Sequence, residues 1–138
     1  MSSLRGKTAI VGAADSEIGV VPNMTATELC IQASMRALED AGLQKNQIDG
    51  LITCNSIALP IMYHAEAIAE YLQIFPRYCI SVGTGGSTTF TTVHHAASAI
   101  ATGMADVILI TMADSLRSGL TRERAMLIQS ASGHPEYE

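Results

Sequence analysis

Apolar residues fall in short blocks along the chain, separated by polar and glycine punctuation. The run KTAIVGAADS (7–16) stays apolar until Gly12 and a turn, which predicts a fully buried strand. In TATELCIQASMRALEDAGL (25–43), Thr25 and Glu28 have capping-box spacing, and Leu29, Ala33, Ala37 and Leu38 share one helical face until Gly42 stops it. IDGLITCN (48–55) predicts a second strand, HAEAIAEYLQI (64–74) a second helix ended by Pro76, and RYCISVG (77–83) a third strand. A helix over 88–103 follows, with Phe90, Val93, Ala97 and Ile100 as its inner stripe, and DVILITM (106–112) closes the series as a fourth strand. Strands that alternate with helices and are apolar on both faces predict an α/β fold, a mainly parallel sheet with right-handed crossover helices.

The helix over 88–103 departs from the usual pattern. Its expected outer face, Thr91, Ala96, Ala99 and Thr102, carries no charge, whereas a surface helix normally shows a charged stripe. Cover on more than one side is therefore expected. After the fourth strand the chain becomes charged and rich in Ser and Gly, with at most one short helix around 121–129.

Composition narrows the chemistry. Hydrophobic residues make up 48% of the 138 and charged ones 15%, with two Phe and no Trp, so the interior is built from small aliphatic side chains. The net charge of −5 and the lack of a Lys/Arg run argue against nucleic acid. No stretch approaches a membrane span or a signal h-region, so a cytoplasmic protein without membrane insertion is expected. Cys30, Cys54 and Cys79 lie far apart with no C-x-x-C pair, which points to inert thiols and no metal site. The methionines are scattered as core filler, and Tyr63, His64 and Glu66 read as ordinary surface and cap residues.

The stretch SVGTGGSTTF (81–90) holds the candidate chemistry, a strand passing through Gly83, Gly85 and Gly86 into a helix. A dinucleotide fingerprint would need its third glycine at Thr88, and a P-loop would need a Gly-Lys-Ser/Thr sequence; both fail. A nucleophile turn has a better basis, because amide hydrogens and the positive end of the helix dipole converge there. Ser87 or Thr88 would be the nucleophile, but His94 and His95 lie about two turns along the helix, roughly 10 Å of rise away. Glycines for a tight turn with Ser and Thr as caps account for the same residues.

The segment AASAIATGMADVILITMADS (96–115), together with ALEDAGLQKNQIDGLI (37–52) and the tail GHPEYE (133–138), resembles the thiolase superfamily, in particular its sterol-carrier-protein type. The resemblance implies the N-terminal half of a thiolase-like fold, with residues 1–116 as the α/β half-domain and 117–138 as the start of a loop region or tail. It places the position of the acyl-accepting cysteine at Gly86, with Ser87 beside it and no cysteine near. It further implies a coenzyme A thioester as substrate and no bound cofactor, with Gly85, Gly86 and Ser87 lining the acyl site and Arg117, Arg122 and Arg124 near the coenzyme A phosphates. The alternative for those arginines is a solvated basic face. His134 is not inherited as the catalytic base and reads as a loop histidine.

Ordinary thiolase turnover, as an acetyl-CoA acetyltransferase performs it, is doubtful without a thiolate. Relatives lacking the cysteine include aldolase-like enzymes of acyl-CoA side chains, often with a small zinc-ribbon and OB-fold partner. The expectation is an acyl-CoA-handling protein doing Claisen or aldol chemistry on a thioester, as a homo-oligomer or with a missing C-terminal half supplied separately. Two alternatives stand beside it: a non-catalytic lipid or acyl-CoA binding scaffold, and a hydrolase using Ser87.

Overall fold

The computed structural model describes residues 3–131. Three short strands, β1 (Gly50–Thr53), β2 (Tyr78–Ser81) and β3 (Ile108–Ile110), form a parallel sheet in the order β2-β1-β3. Helices α1 (Ala26–Ala41), α2 (His64–Leu72) and α3 (Thr88–Ala101) pack on it, and α4 (Leu116–Gly119) and α5 (Arg122–Ala131) follow β3. The step from β1 to β2 and the step from β2 to β3 run in opposite directions along the sheet. A common right-handed crossover therefore puts α2 and α3 on opposite faces.

α1 starts and stops where its sequence signals lie. The Thr25 hydroxyl accepts from the Glu28 N–H at 3.2 Å, and the Glu28 carboxylate accepts from the Thr25 N–H at 2.7 Å. Those bonds hold the Glu28 carboxyl below its ordinary pKa. At the other end Gly42 sits at φ 66°, a left-handed conformation that glycine adopts without a Cβ clash. The main core joins Cys30 and Leu38 of α1 with Ile68, Ala69 and Leu72 of α2 over Leu51 and Leu109 of the sheet. Leu51, Cys79 and Leu109 share one register row, so alternation along the strands assigns this face to α1 and α2.

The run over 7–16 corrects the expectation of a buried strand. It makes no ladder, and Ile10 is 78% exposed. It runs instead beside α1: the Ala13 N–H donates to the Asp40 carboxylate at 2.9 Å, the Glu17 N–H to Gln32 Oε1 at 2.7 Å, and Arg36 to the Asp15 carbonyl at 2.9 Å. Gly12 permits this approach, since a Cβ there would lie 2.6 Å from the Ala37 carbonyl oxygen. The sheet position beside β1 is taken by β3, which comes close because Gly50 faces Ile108: a Cβ on Gly50 would lie 2.6 Å from Ile108 Cγ1.

α3 is also turned the other way round from the sequence expectation. Thr92, Ala96 and Ala99 are its buried residues, while Phe90 is 80% exposed and Val93 also faces outward. The physical reason is close packing: the sheet face beneath already carries Ile52, Ile80 and Ile110, so the helix approaches through its small side chains. Among the described residues no second layer covers α3, and Phe90 and Val93 lie exposed.

Candidate functional site at the carboxyl ends of the strands

All three strands point the same way, so the segments that leave them, 54–63, 82–88 and 111–115, gather at one edge of the sheet. The chain reverses its direction of travel there, with β1 between its two successors, and such switch points open a crevice above the carboxyl ends. The segments are in register: the Val82 N–H donates to the Thr53 carbonyl at 2.8 Å, and the Thr111 N–H to the Ile52 carbonyl at 3.0 Å.

The turn after β2 is built as one hydrogen-bonded unit. Gly85 takes φ 63°, and Gly85–Ser87 form a single 3-10 turn that leads directly into α3. The Thr84 N–H donates to Thr88 Oγ1 at 3.0 Å, Thr88 Oγ1 donates to the Gly85 carbonyl at 2.7 Å, and Thr91 Oγ1 donates to the Ser87 carbonyl at 3.1 Å. Ser87 Oγ donates to the Thr84 carbonyl at 2.9 Å and to Thr84 Oγ1 at 3.1 Å. No imidazole is among its partners, so the hydroxyl acts as a brace within the turn. A Cβ added at Gly83, Gly85 or Gly86 meets nothing within 4 Å. The space over the turn is open, and the first amides of a helix have no intrahelical acceptor. Electrostatically, that is a place for a negative oxygen.

On the far side of β1 stands a group that the sequence reading missed. Asp114 accepts four hydrogen bonds, from Ser56 Oγ at 2.9 Å, the Ile57 N–H at 2.7 Å, the Ala58 N–H at 3.1 Å and the Ser115 N–H at 2.9 Å. His64, read from sequence as a surface residue, is 1% exposed at the start of α2, and neither ring nitrogen has a hydrogen-bond partner. Burial pushes its pKa down, and the Asp114 charge opposes that in part. The correction has a physical cause: Tyr63 before it has φ 62°, which turns the first residue of α2 inward instead of along a solvent-facing cap. A Tyr-His pair before a helix carries no signal for this.

Burial raises all three thiols, Cys30 to about 11, with the nearby Asp114 charge adding to the rise at Cys30 and Cys54. They are protonated near neutrality and poor nucleophiles. Gly85, Gly86 and Ser87 come together in one turn, whereas Arg117, Arg122 and Arg124 lie exposed on α4 and α5. His134 falls outside the described residues. Among the described residues no His/Cys/Asp/Glu group could hold a metal ion, and no helix is long and apolar enough to cross a membrane. A cleft of about 920 Å³ lies between the ends of α1 and α2, lined by Leu38, Leu43, Ile48 and Ile74, at the amino ends of the strands and away from the turn.

No family model matches the chain. It is 35% identical over 122 residues to the steroid side-chain-cleaving aldolase of Thermomonospora curvata, covering 87% of this chain and 30% of that protein. It is 34% identical over 119 residues to the 17-hydroxy-3-oxo-4-pregnene-20-carboxyl-CoA lyase of Mycobacterium tuberculosis, covering 85% of this chain and 30% of that one. Among solved structures, the Ltp2-ChsH2(DUF35) aldolase superposes with a TM-score of 0.70 at 29% identity, over 88% of this chain and 32% of that one. The acetyl-CoA acetyltransferase of Syntrophomonas wolfei superposes with a TM-score of 0.69 at 22% identity, over 91% and 32% of the respective chains. The chain thus spans a little under a third of the length of the curated relatives it matches.

Proposed function

From a chain that is thiolase-like in fold, we propose a protein that carries out carbon–carbon bond chemistry on a coenzyme A thioester, in the aldol sense. The observation that carries this reading is the identity of 35% with a side-chain-cleaving aldolase across nearly the whole chain. The turn supports it. Cleaving a β-hydroxy thioester leaves an enolate whose negative oxygen needs donors, and the amides around Gly85, Gly86 and Ser87 open α3 toward solvent. No acyl-enzyme forms in such a cleavage, so a glycine at position 86 is compatible with it, whereas acetyl-CoA acetyltransferase chemistry is not.

The base that takes the hydroxyl proton comes from another part of the intact protein. Arg117, Arg122 and Arg124, exposed after β3, meet the coenzyme A phosphates. Residues 1–116 act as the α/β unit and 117–138 begin the connecting region. The bare apolar face of α3 around Phe90 is covered by a second copy or by the remaining portion of a longer protein, and a small zinc-ribbon and OB-fold partner joins the assembly. We place the assembly in the cytoplasm.

Calorimetric titration with acetyl-CoA and with a longer acyl-CoA tests the reading, with Gly86→Asp as the blocked variant. Position 86 has open space around it, so the variant keeps the fold while placing a carboxylate where the thioester oxygen binds. Binding to the parent and a loss of about tenfold or more in the variant is the expected outcome. Equal affinity in both removes the turn from the site. Binding of acyl-CoA without any cleavage by the intact protein would favour the scaffold reading, which the Thr84-directed hydrogen bonds of Ser87 also suit.

A further inference from the structure

The sheet is tied across its strands at both ends by an aspartate, and the two ties differ in what they hold. At the amino ends, Asp49 accepts from the Asp106 N–H at 2.9 Å, the Val107 N–H at 2.8 Å and Arg77 Nε at 2.9 Å. It therefore joins the entries of β2 and β3 to that of β1. At the carboxyl ends, Asp114 follows β3 and binds Ser56, Ile57 and Ala58, all in the segment that leaves β1. Ser56 is itself 3% exposed, and its Oγ accepts from the Leu59 N–H at 2.9 Å, so the tie continues one residue further.

That segment leaves β1, which is the strand between β3, followed by Asp114, and β2, followed by the turn at 83–88. A loop leaving a parallel strand has few packing constraints of its own. Three donors from it converge on one carboxylate, which as an ion accepts at every lone pair. We propose that Asp114 is a positioning residue: it fixes residues 56–59 as the wall of the thioester site that faces the Gly85–Ser87 turn. The assignment rests on the proposed acyl-CoA function and adds to it the residue that holds the site's second wall.

Asparagine at 114 tests this sharply. One of its two terminal atoms becomes an NH2 donor, which cannot accept from Ile57 on one side or from Ser56 and Ala58 on the other. Asp49→Asn is the matched control, an equivalent loss at the opposite ends of the same strands. In the intact protein, the affinity for an acyl-CoA is measured by titration, and amide hydrogen exchange is followed at 56–59.

Asp114→Asn is expected to speed exchange at 56–59 and to weaken acyl-CoA binding about tenfold, the scale of one lost charge-assisted bond. Asp49→Asn is expected to lower the thermal midpoint while leaving the acyl-CoA affinity within about twofold. Asp114→Glu, which keeps an all-acceptor group, is expected to recover part of the affinity. Parent-like affinity in Asp114→Asn, or equal weakening in both Asp→Asn variants, overturns the proposal alone. Parent protein that binds no coenzyme A thioester overturns the functional reading and this proposal with it.

Discussion

Gly12→Ala is the sharpest probe of how the N-terminal segment is held. A Cβ at this position would lie 2.6 Å from the Ala37 carbonyl oxygen, 2.7 Å from Ala41 Cβ and 2.9 Å from the Ala41 N–H nitrogen, two of them backbone atoms of α1 that have little freedom to yield. Forcing a methyl into such a contact costs about 1–3 kcal/mol. The alternative is for the segment to lift away, losing the bonds to Asp40, Gln32 and Arg36. Each is exposed and contributes about 0.5–1 kcal/mol, so lifting costs about 2 kcal/mol in all. The two routes agree, and a fall of about 2 kcal/mol is expected, or about 5–10 °C in the thermal midpoint for a chain of this size. Urea denaturation of Gly12→Ala, Asp40→Ala and the double variant is the assay. In the Asp40→Ala background the alanine is expected to cost less, because the segment is already loosened. Stability within about 0.5 kcal/mol of the parent for Gly12→Ala would refute the close approach to α1.

His64 makes stability pH-dependent. Its folded pKa lies below the ordinary 6.5, so its contribution is fully present above that pH and is lost as pH falls through the folded value, where the unfolded chain holds the extra proton. Chemical denaturation from about pH 7 down to about pH 5 is expected to show that loss in the parent and a flatter profile in His64→Leu. At neutral pH the leucine variant is expected to match the parent or exceed it by about 1 kcal/mol, since two unpaired buried nitrogens are removed. Phe90→Asp is expected to leave the chain's own stability unchanged, as the ring is already in solvent, while lowering the mass of the assembly seen by light scattering. An unchanged mass would show that the α3 face is not the contact.

How far the sequence could be read differs between elements. The alternation of apolar runs with helical periodicity located α1, α2, α3 and the three observed strands to within a few residues, because those signals are local: a capping box, a glycine stop, a proline past the end. The glycine turn was equally local, since only a residue without Cβ takes φ 63° at no cost. Asp114 and His64 were not legible. One gathers donors from 56 to 58 positions away in sequence, and the other is buried by a backbone turn at Tyr63 that its neighbours do not announce.

By itself, the order of amino acids determined that this chain is an α/β protein with a parallel sheet, and that a side-chain-poor bend joins β2 to α3. Both follow from hydrophobic period and backbone sterics, which act over a few residues. Tertiary structure alone decided which apolar run entered the sheet and which face of α3 met it. A segment such as 7–16 is apolar enough for a strand, but the close fit of Gly50 against Ile108 gives β3 the place beside β1, and small side chains let α3 lie closer to the isoleucine-covered face than Phe90 would. Competition for a single close-packed position depends on the shapes of distant partners, and no local pattern encodes it.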